Sequence, residues 1–508
     1  MEENRVKNST RNMIAGFIYK TINLLFPFVV NTIIIKTLGV EYLGLNMLFH
    51  SILQVLTLTE LGFGTALIFS MYEPIAKQDY AKISALLGFY RKVYRRIGSI
   101  VFCGGLICMP LFPVIISGEV PSELNVYILF IISLVNCVAE YLLFAYKSAL
   151  LIAYQRKDII EKINIFIELL LNILKIAVLL ITKNYYLFCI VMPFCTIINS
   201  ILVEIISKKK YPNIGPKGII SKEEKKPIYQ RVIGLSIHKF CNVICNSFDS
   251  IVISSILGIM ILGQYNNYFV ITNALTMLLC IITGSASSSI GNSLVSETKE
   301  KNYRDYNILQ FGFSTALGWA SICLACLIQP FIKLWVGKEL MFDDPTAITF
   351  AFYLYALVSS AVFMTYREAA GIWDRDRVRP FFEAGFNLML NIILAKTIGV
   401  AGVLISTIIT TGIIRVIWGS YYLFKELFTE YSYFKYLLKQ LLYLSITVVI
   451  GVIAYYVCSL ITLEGIWGFV VKGATCASLS IFLYVIVYFK TAEFRGLMGL
   501  VKGMLKNK

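Results

Sequence analysis

Residues 38–79 read LGVEYLGLNMLFHSILQVLTLTELGFGTALIFSMYEPIAKQD. From Tyr42 to Met71 the only ionisable side chains besides Tyr42 are His50 and Glu60, and the first lysine arrives at Lys77. About 20 mainly apolar residues cross the hydrocarbon core of a bilayer as a helix. The stretch therefore predicts a spanning helix that ends at a basic loop, with one carboxylate, Glu60, near mid-membrane.

The same pattern recurs along the chain. Hydrophobic residues make up 58% of it and charged residues 15%, and its mean hydropathy is +0.74. Soluble domains run at about 45–50% apolar and about 25% charged, so lipid is the solvent these numbers fit. Fourteen spans are predicted, at roughly 13–36, 42–71, 97–117, 125–148, 163–182, 185–206, 232–258, 263–289, 309–335, 347–371, 380–396, 400–424, 440–460 and 467–489. Lys183-Asn184 and Thr397-Ile398-Gly399 are the turn signals that split two of the longer runs. The first run, after Arg5, Lys7 and Arg11, is too long for a signal peptide and is read as the first span. The fold class is thus an all-α polytopic membrane protein.

Net charge is +16, but the cations lie in short loops between apolar runs, which excludes the nucleic-acid reading. Placing the N-terminus inside assigns 34 lysines and arginines to inside segments and only Lys183 and Lys338 to outside loops. By the positive-inside rule both termini are expected in the cytoplasm. The loops leave no room for an extramembrane catalytic domain. No GxxxxGK[ST] loop occurs, so no ATPase is built in. A secondary transporter, driven by ion or substrate gradients, is expected rather than an enzyme.

An internal repeat appears at an offset of 219 residues. Lys20 and Asn23 match Lys239 and Asn242; Leu38-Gly39 and Leu43-Gly44 match Leu257-Gly258 and Leu262-Gly263; LLLNIL at 169–174 matches LMLNII at 388–393. Tyr146, Lys147 and Ala149 match Tyr366, Arg367 and Ala369 at 220. Parallel repeats of six helices each follow, giving an N-lobe at 1–230, a C-lobe at 231–424, and two further helices within 425–508.

Ionisable residues inside spans are the candidate functional groups, because a charge at mid-bilayer is costly and faces a cavity or a partner. Lys20 and Lys239 sit roughly 10 Å into the membrane, seven residues at 1.5 Å each, and Arg415 lies at a similar depth. Three cations at one level suit a diphosphate; the alternative is snorkelling to the inner interface. Lys147 and Arg367 close repeat-related spans, as interface anchors or as first contacts for a headgroup. Glu60, Asp249, Glu140 and Glu168 are candidates for binding a coupling H⁺ or Na⁺ or for pairing with a cation. Glu168, Asn172 and Lys175 share one helix face, as an intrahelical set or as a cavity lining. Cys323 and Cys326 have CxxC spacing inside an apolar run, and His50 and His238 are the only histidines. No converging zinc ligand set is visible, so the cysteines are read as small buried hydrophobes, and neither metal nor cofactor is expected.

On this plan the 38–79 segment, with its paired Leu-Gly, LGFGTAL and MYEPIA, resembles the polysaccharide-transport branch of the multidrug/oligosaccharidyl-lipid/polysaccharide exporter superfamily. The resemblance implies a V-shaped two-lobed fold with a central cavity and alternating access, in the bacterial cytoplasmic membrane. It implies an undecaprenyl-diphosphate-linked oligosaccharide as cargo, for O-antigen, capsule or exopolysaccharide, held by basic residues for which Lys20, Lys239 and Arg415 are the fitting positions. The implied partners are membrane lipids, a polysaccharide polymerase and glycosyltransferases. A drug/cation antiporter and a peptidoglycan lipid-precursor flippase of the same superfamily are the alternatives; a basic cavity would repel cationic drugs.

Overall fold

The computed structural model describes residues 2–60, 62–143, 145–372 and 376–506. Among them there are helices and no strand. In chain order these are α1 (Glu2–Thr37), α2 (Val40–Leu56), α3 (Phe63–Ala76), α4 (Tyr80–Cys108), the short α5 (Phe112–Ile115), α6 (Val126–Leu142), α7 (Ala145–Ala153), α8 (Lys157–Thr182), α9 (Tyr185–Lys210), α10 (Lys222–Val252), α11 (Ile259–Ser296), α12 (Lys299–Trp335), α13 (Asp344–Ser359), α14 (Ala361–Ala369), α15 (Arg379–Ile409), α16 (Gly419–Glu426), α17 (Tyr433–Ser459), α18 (Gly465–Tyr488) and α19 (Ala492–Lys506).

Helix ends follow local chemistry. The Lys183-Asn184 signal is where α8 stops, Lys183 taking a left-handed φ of 50°, and where the Asn184 side chain caps α9 by accepting from the Leu187 amide. Outside the membrane, α10 opens with a capping box: Ser221 and Glu224 each accept the other's backbone N–H, satisfying two amides that a helix start leaves free. The Ser221 amide, then Lys82 at 3.2 Å, hold the Glu224 carboxyl below its ordinary range.

Among the described residues, ten helical runs are long and apolar enough to cross a membrane, or eleven if the bent pair formed by α6 and α7 is one span. This is a multi-pass membrane protein, but the described residues do not deliver fourteen separate long helices. The reasons are local. The expected span 42–71 is broken by a 3-10 turn at Thr57–Glu60 and by Gly62 at φ 82°, leaving helices of 17 and 14 residues. The expected spans 380–396 and 400–424 form one run, Arg379–Glu426, of 48 residues. A straight helix of that length would measure about 70 Å, more than twice the core thickness. It instead folds back at Ile398-Gly399, where φ/ψ leave the helical region. Beyond the bend, Ser406 donates to the Asn387 carbonyl at 2.9 Å and Asn387 donates to Thr407 at 3.0 Å, contacts that only a hairpin allows.

Large apolar side chains stay exposed along the spans, among them Phe17, Leu25, Ile181, Trp467 and Phe482. Water would penalise each; hydrocarbon does not. The helix most enclosed by protein is α12, with 61% of its apolar window buried.

The chain divides into two compact units, Met1–Gly263 and Gln264–Lys508. In the first, α1 lies along α8, α9 packs on both α6 and α8, and α10 lies against α2 and α3. In the second, α12 is the hub for α13, α17, α18 and α19, while α15 packs on α13. The first unit contains a reciprocal close approach. A Cβ on Gly44 would sit 2.1 Å from the Ile259 carbonyl oxygen, and one on Gly263 would sit 2.2 Å from that of Val40. Gly44 and Gly263 are mates at the 219-residue offset, and so are Val40 and Ile259. The contact is extended by the 115–118 segment, whose Ser117 donates to Ser254 O at 3.2 Å and accepts from Ile259 N at 3.0 Å.

Backbone on backbone leaves no room for a methyl group. Gly263→Ala is expected to lower the thermal unfolding midpoint of the purified protein, at an overpacking cost of about 1–3 kcal/mol. Gly284→Ala, whose Cβ would meet nothing within 4 Å, is the control and should leave the midpoint unchanged or slightly raised.

Candidate functional site

The break between α2 and α3 in the first unit turns Glu60 inward. Its carboxylate accepts from the Tyr94 hydroxyl and from the Tyr141 hydroxyl at 3.0 Å, bringing α4 and α6 onto the break. A carboxylate inside a membrane needs such donors, because lipid supplies none. The tyrosines are absent from the sequence-derived candidates. Aromatic belts absorbed them there, and no spacing marks a partner 34 or 81 residues away.

On α8, Asn172 is buried and donates to the Glu168 carboxylate at 2.9 Å, while the Lys175 ammonium lies 5.1 Å from the Phe188 ring centre. The second unit repeats the first of these contacts: Asn391 donates to Asn387 at 3.3 Å, and 168/387 and 172/391 are both mates at offset 219. Of the set read from sequence, the Glu168–Asn172 pair is therefore realised within one helix, while Lys175 turns to an aromatic ring.

The densest charge cluster lies in the second unit. Arg367 at the end of α14 donates to Asp376 at 2.6 Å; Asp376 also accepts from Arg379 at 2.7 Å; Arg379 reaches Glu383; and Glu383 accepts from Arg415 Nε at 2.7 Å. Among the described residues the order is +, −, +, −, +, a ladder of alternating charge. Arg367, Asp376, Arg379 and Glu383 are each 3% exposed or less. Arg415 closes the ladder with its side chain 13% exposed. It sits in the nine-residue π-helical stretch Thr410–Trp418, a wide-turn geometry that is rare outside functional sites. The ladder ties α14, the start of α15 and the π stretch together. Of its rungs, Arg379–Glu383 follows from i, i+4 spacing; Glu383–Arg415, 32 residues apart, required the hairpin.

The remaining expected residues fall as follows. Lys20 is exposed on α1, and Glu140 is exposed on α6. Lys239 lies on α10 with its side chain outside the described residues, as do the side chains of Arg5, Lys7, Arg11, Arg231 and Arg375. Asp249 is buried on α10 at 2%. Lys147, on α7, is 3% exposed and lies 3.7 Å from Glu204. An interface anchor must present its head to the surface, and neither Lys147 nor Arg367 does; both are enclosed by protein and ion-paired.

By sequence, residues 9–287, more than half of the chain, match the family model described as polysaccharide biosynthesis protein. The chain belongs to that family. No curated protein matches it. Among solved structures, the fold is similar to the lipid II flippase MurJ in an inward closed conformation, at TM-score 0.67 and 15% identity, over 94% of this chain and 98% of that one. It is similar to an inward-facing multidrug resistance MATE family transporter of the MOP superfamily, at TM-score 0.63 and 14% identity, over 80% and 94%. A MOP superfamily transporter from Pyrococcus furiosus shares it at TM-score 0.54 and 12% identity, over 82% and 95%. The family comes from the sequence match, and the solved structures show that its helical fold is the one found in these transporters.

Removing one partner from a buried charge cluster strands the others. Glu383→Gln is expected to cost about 3–5 kcal/mol, read as a lowered unfolding midpoint. Arg415→Gln placed on top should cost less than its own single-mutant effect, with a coupling of about 0.5–3 kcal/mol. Additive effects would show that the two side chains do not act as a pair.

Proposed function

We propose that this transporter flips a polyprenyl-diphosphate-linked oligosaccharide, undecaprenyl being the expected lipid, from the cytoplasmic to the outer leaflet of a bacterial inner membrane, for O-antigen, capsule or exopolysaccharide assembly. The observation that carries the reading is Lys20: an exposed cation within an apolar span, with no buried ion pair to any described side chain, in a chain of the polysaccharide biosynthesis family. Lys239 is its repeat mate, and a pair of ammonium groups suits a diphosphate. Arg415 contributes less to this role, because Glu383 already takes its guanidinium. Lys147 and Arg367 drop out as headgroup contacts for the same reason of prior pairing and burial. The bias of lysine and arginine towards alternate loops supports cytoplasmic termini, the side from which glycosyltransferases would load the lipid carrier.

Coupling is assigned to Glu60. It occupies a helix break inside a span, and broken helices are where transporters bind coupling ions. The Tyr94 and Tyr141 hydroxyls hold its carboxylate in place whether it carries a proton or accepts Na⁺.

The Lys20→Ala, Lys239→Ala double variant is expected to insert at wild-type level and to lose surface glycan, measured by immunoblot of both the protein and the polysaccharide. Normal glycan with correct insertion would sink the diphosphate role. For coupling, export is expected to fall when the proton gradient or the sodium gradient is collapsed separately; indifference to both would remove Glu60 from it. Complementation of a strain lacking its peptidoglycan precursor flippase distinguishes the runner-up cargo, and rescue there would redirect the assignment.

A further inference from the structure

The CxxC pair on α12 is half of a larger arrangement. Cys323 and Cys326, three residues apart, point from one face of α12. Cys458 comes from the last turn of α17 and Cys476 from the middle of α18. The Sγ atoms of Cys326, Cys458 and Cys476 all lie within 4.8 Å of one another, and Cys323 Sγ is 4.0 Å from Cys476 Sγ. The three central thiols are 6%, 4% and 0% exposed. We propose that this cluster is a binding site for one thiolate-seeking d¹⁰ metal ion, Cu(I) or Zn(II), which clips the two C-terminal helices α17 and α18 to α12.

Geometry, chemistry and access each support the site. A metal–sulfur bond of about 2.3 Å sets the sulfurs of a trigonal or tetrahedral centre about 3.8–4.0 Å apart. Small χ1 adjustments on three helices bring the present sulfurs to that spacing. Cysteines that merely fill a core scatter among hydrocarbon neighbours; these, donated by three helices, turn their sulfurs towards one another. Sulfur-only ligation selects soft ions over Mg²⁺ or Ca²⁺. Three thiolates suffice for Cu(I); Zn(II) recruits Cys323 as its fourth ligand. Each thiol gives up its proton as the metal enters.

A route to the cluster exists. A cavity of about 470 Å³ is lined by Cys326 and Cys458 together with Gln329, Asp344, Glu464 and Lys472. Its rim carries the exposed Lys333–Glu464 ion pair at 3.0 Å. A cation in this cavity therefore has both carboxylates and sulfur within its walls, and Lys472 offsets the negative charge of the thiolates.

The test uses the full-length protein in detergent, reduced, stripped with chelator, offered Zn(II) or Cu(I) in separate arms, desalted, and assayed for metal by mass spectrometry. One ion retained per chain is expected in at least one arm, with X-ray absorption showing a sulfur-only shell at about 2.3 Å for zinc. Cys476→Ser should lose retention in both arms, Cys323→Ser in the zinc arm alone, and Cys103→Ser in neither. The wild-type absorption spectrum needs no variant to fold, and comparing metal-free melting of Cys476→Ser with metal-free wild type separates lost binding from lost structure. Failure to retain either ion, a shell of nitrogen or oxygen donors, equal retention by Cys476→Ser, or a Cys323–Cys476 disulfide in place of metal would each overturn the proposal.

Discussion

Lipid offers no hydrogen bonds, and that constraint organises this molecule. Wherever a spanning helix is interrupted, the freed backbone and any polar side chain must find partners inside the protein. The interruptions are where the chemistry collects. Glu60 and its tyrosines occupy the break after α2. The Asn387–Ser406–Thr407 contacts sit inside the hairpin bent at Ile398-Gly399. The charge ladder spans the gap from α14 to α15 and ends in the π stretch. Continuous helices such as α18, by contrast, present mostly apolar surface.

Much of this was legible in the sequence because lipid simplifies the code. Apolar run length marked the long spanning helices though not their number, and Lys183-Asn184 and Ile398-Gly399 marked reversals that the structure places at those residues. Residues that match at the 219-residue offset make corresponding contacts in Gly44/Gly263 and in 168–172/387–391. What stayed hidden was pairing at long sequence distance. Glu383 and Arg379 carry no local mark of the cluster they join, since nothing in a linear string says that Arg415 folds back beside them. The same blindness reduced Cys323 and Cys326 to packing, when Cys458 and Cys476 stand more than 130 residues away. Helix breaks inside a span also escaped, because hydropathy averages over a turn of four residues such as Thr57–Glu60.

The ladder has a physical meaning for a transporter. Buried ion pairs are weak contributors to net stability compared with hydrocarbon packing. Their alternating signs do, however, impose one register on the segments they join, since sliding by a rung sets like charges together. Such a cluster fixes α14, α15 and the π stretch to one another in a single register.

The reciprocal approach of Gly44 to Ile259 and of Gly263 to Val40 also has a consequence for variation. A side chain added at either glycine meets backbone, so neither position can change without moving the segment that carries the other. Residues 44 and 263 therefore act as one constraint written twice in the chain rather than as two independent ones.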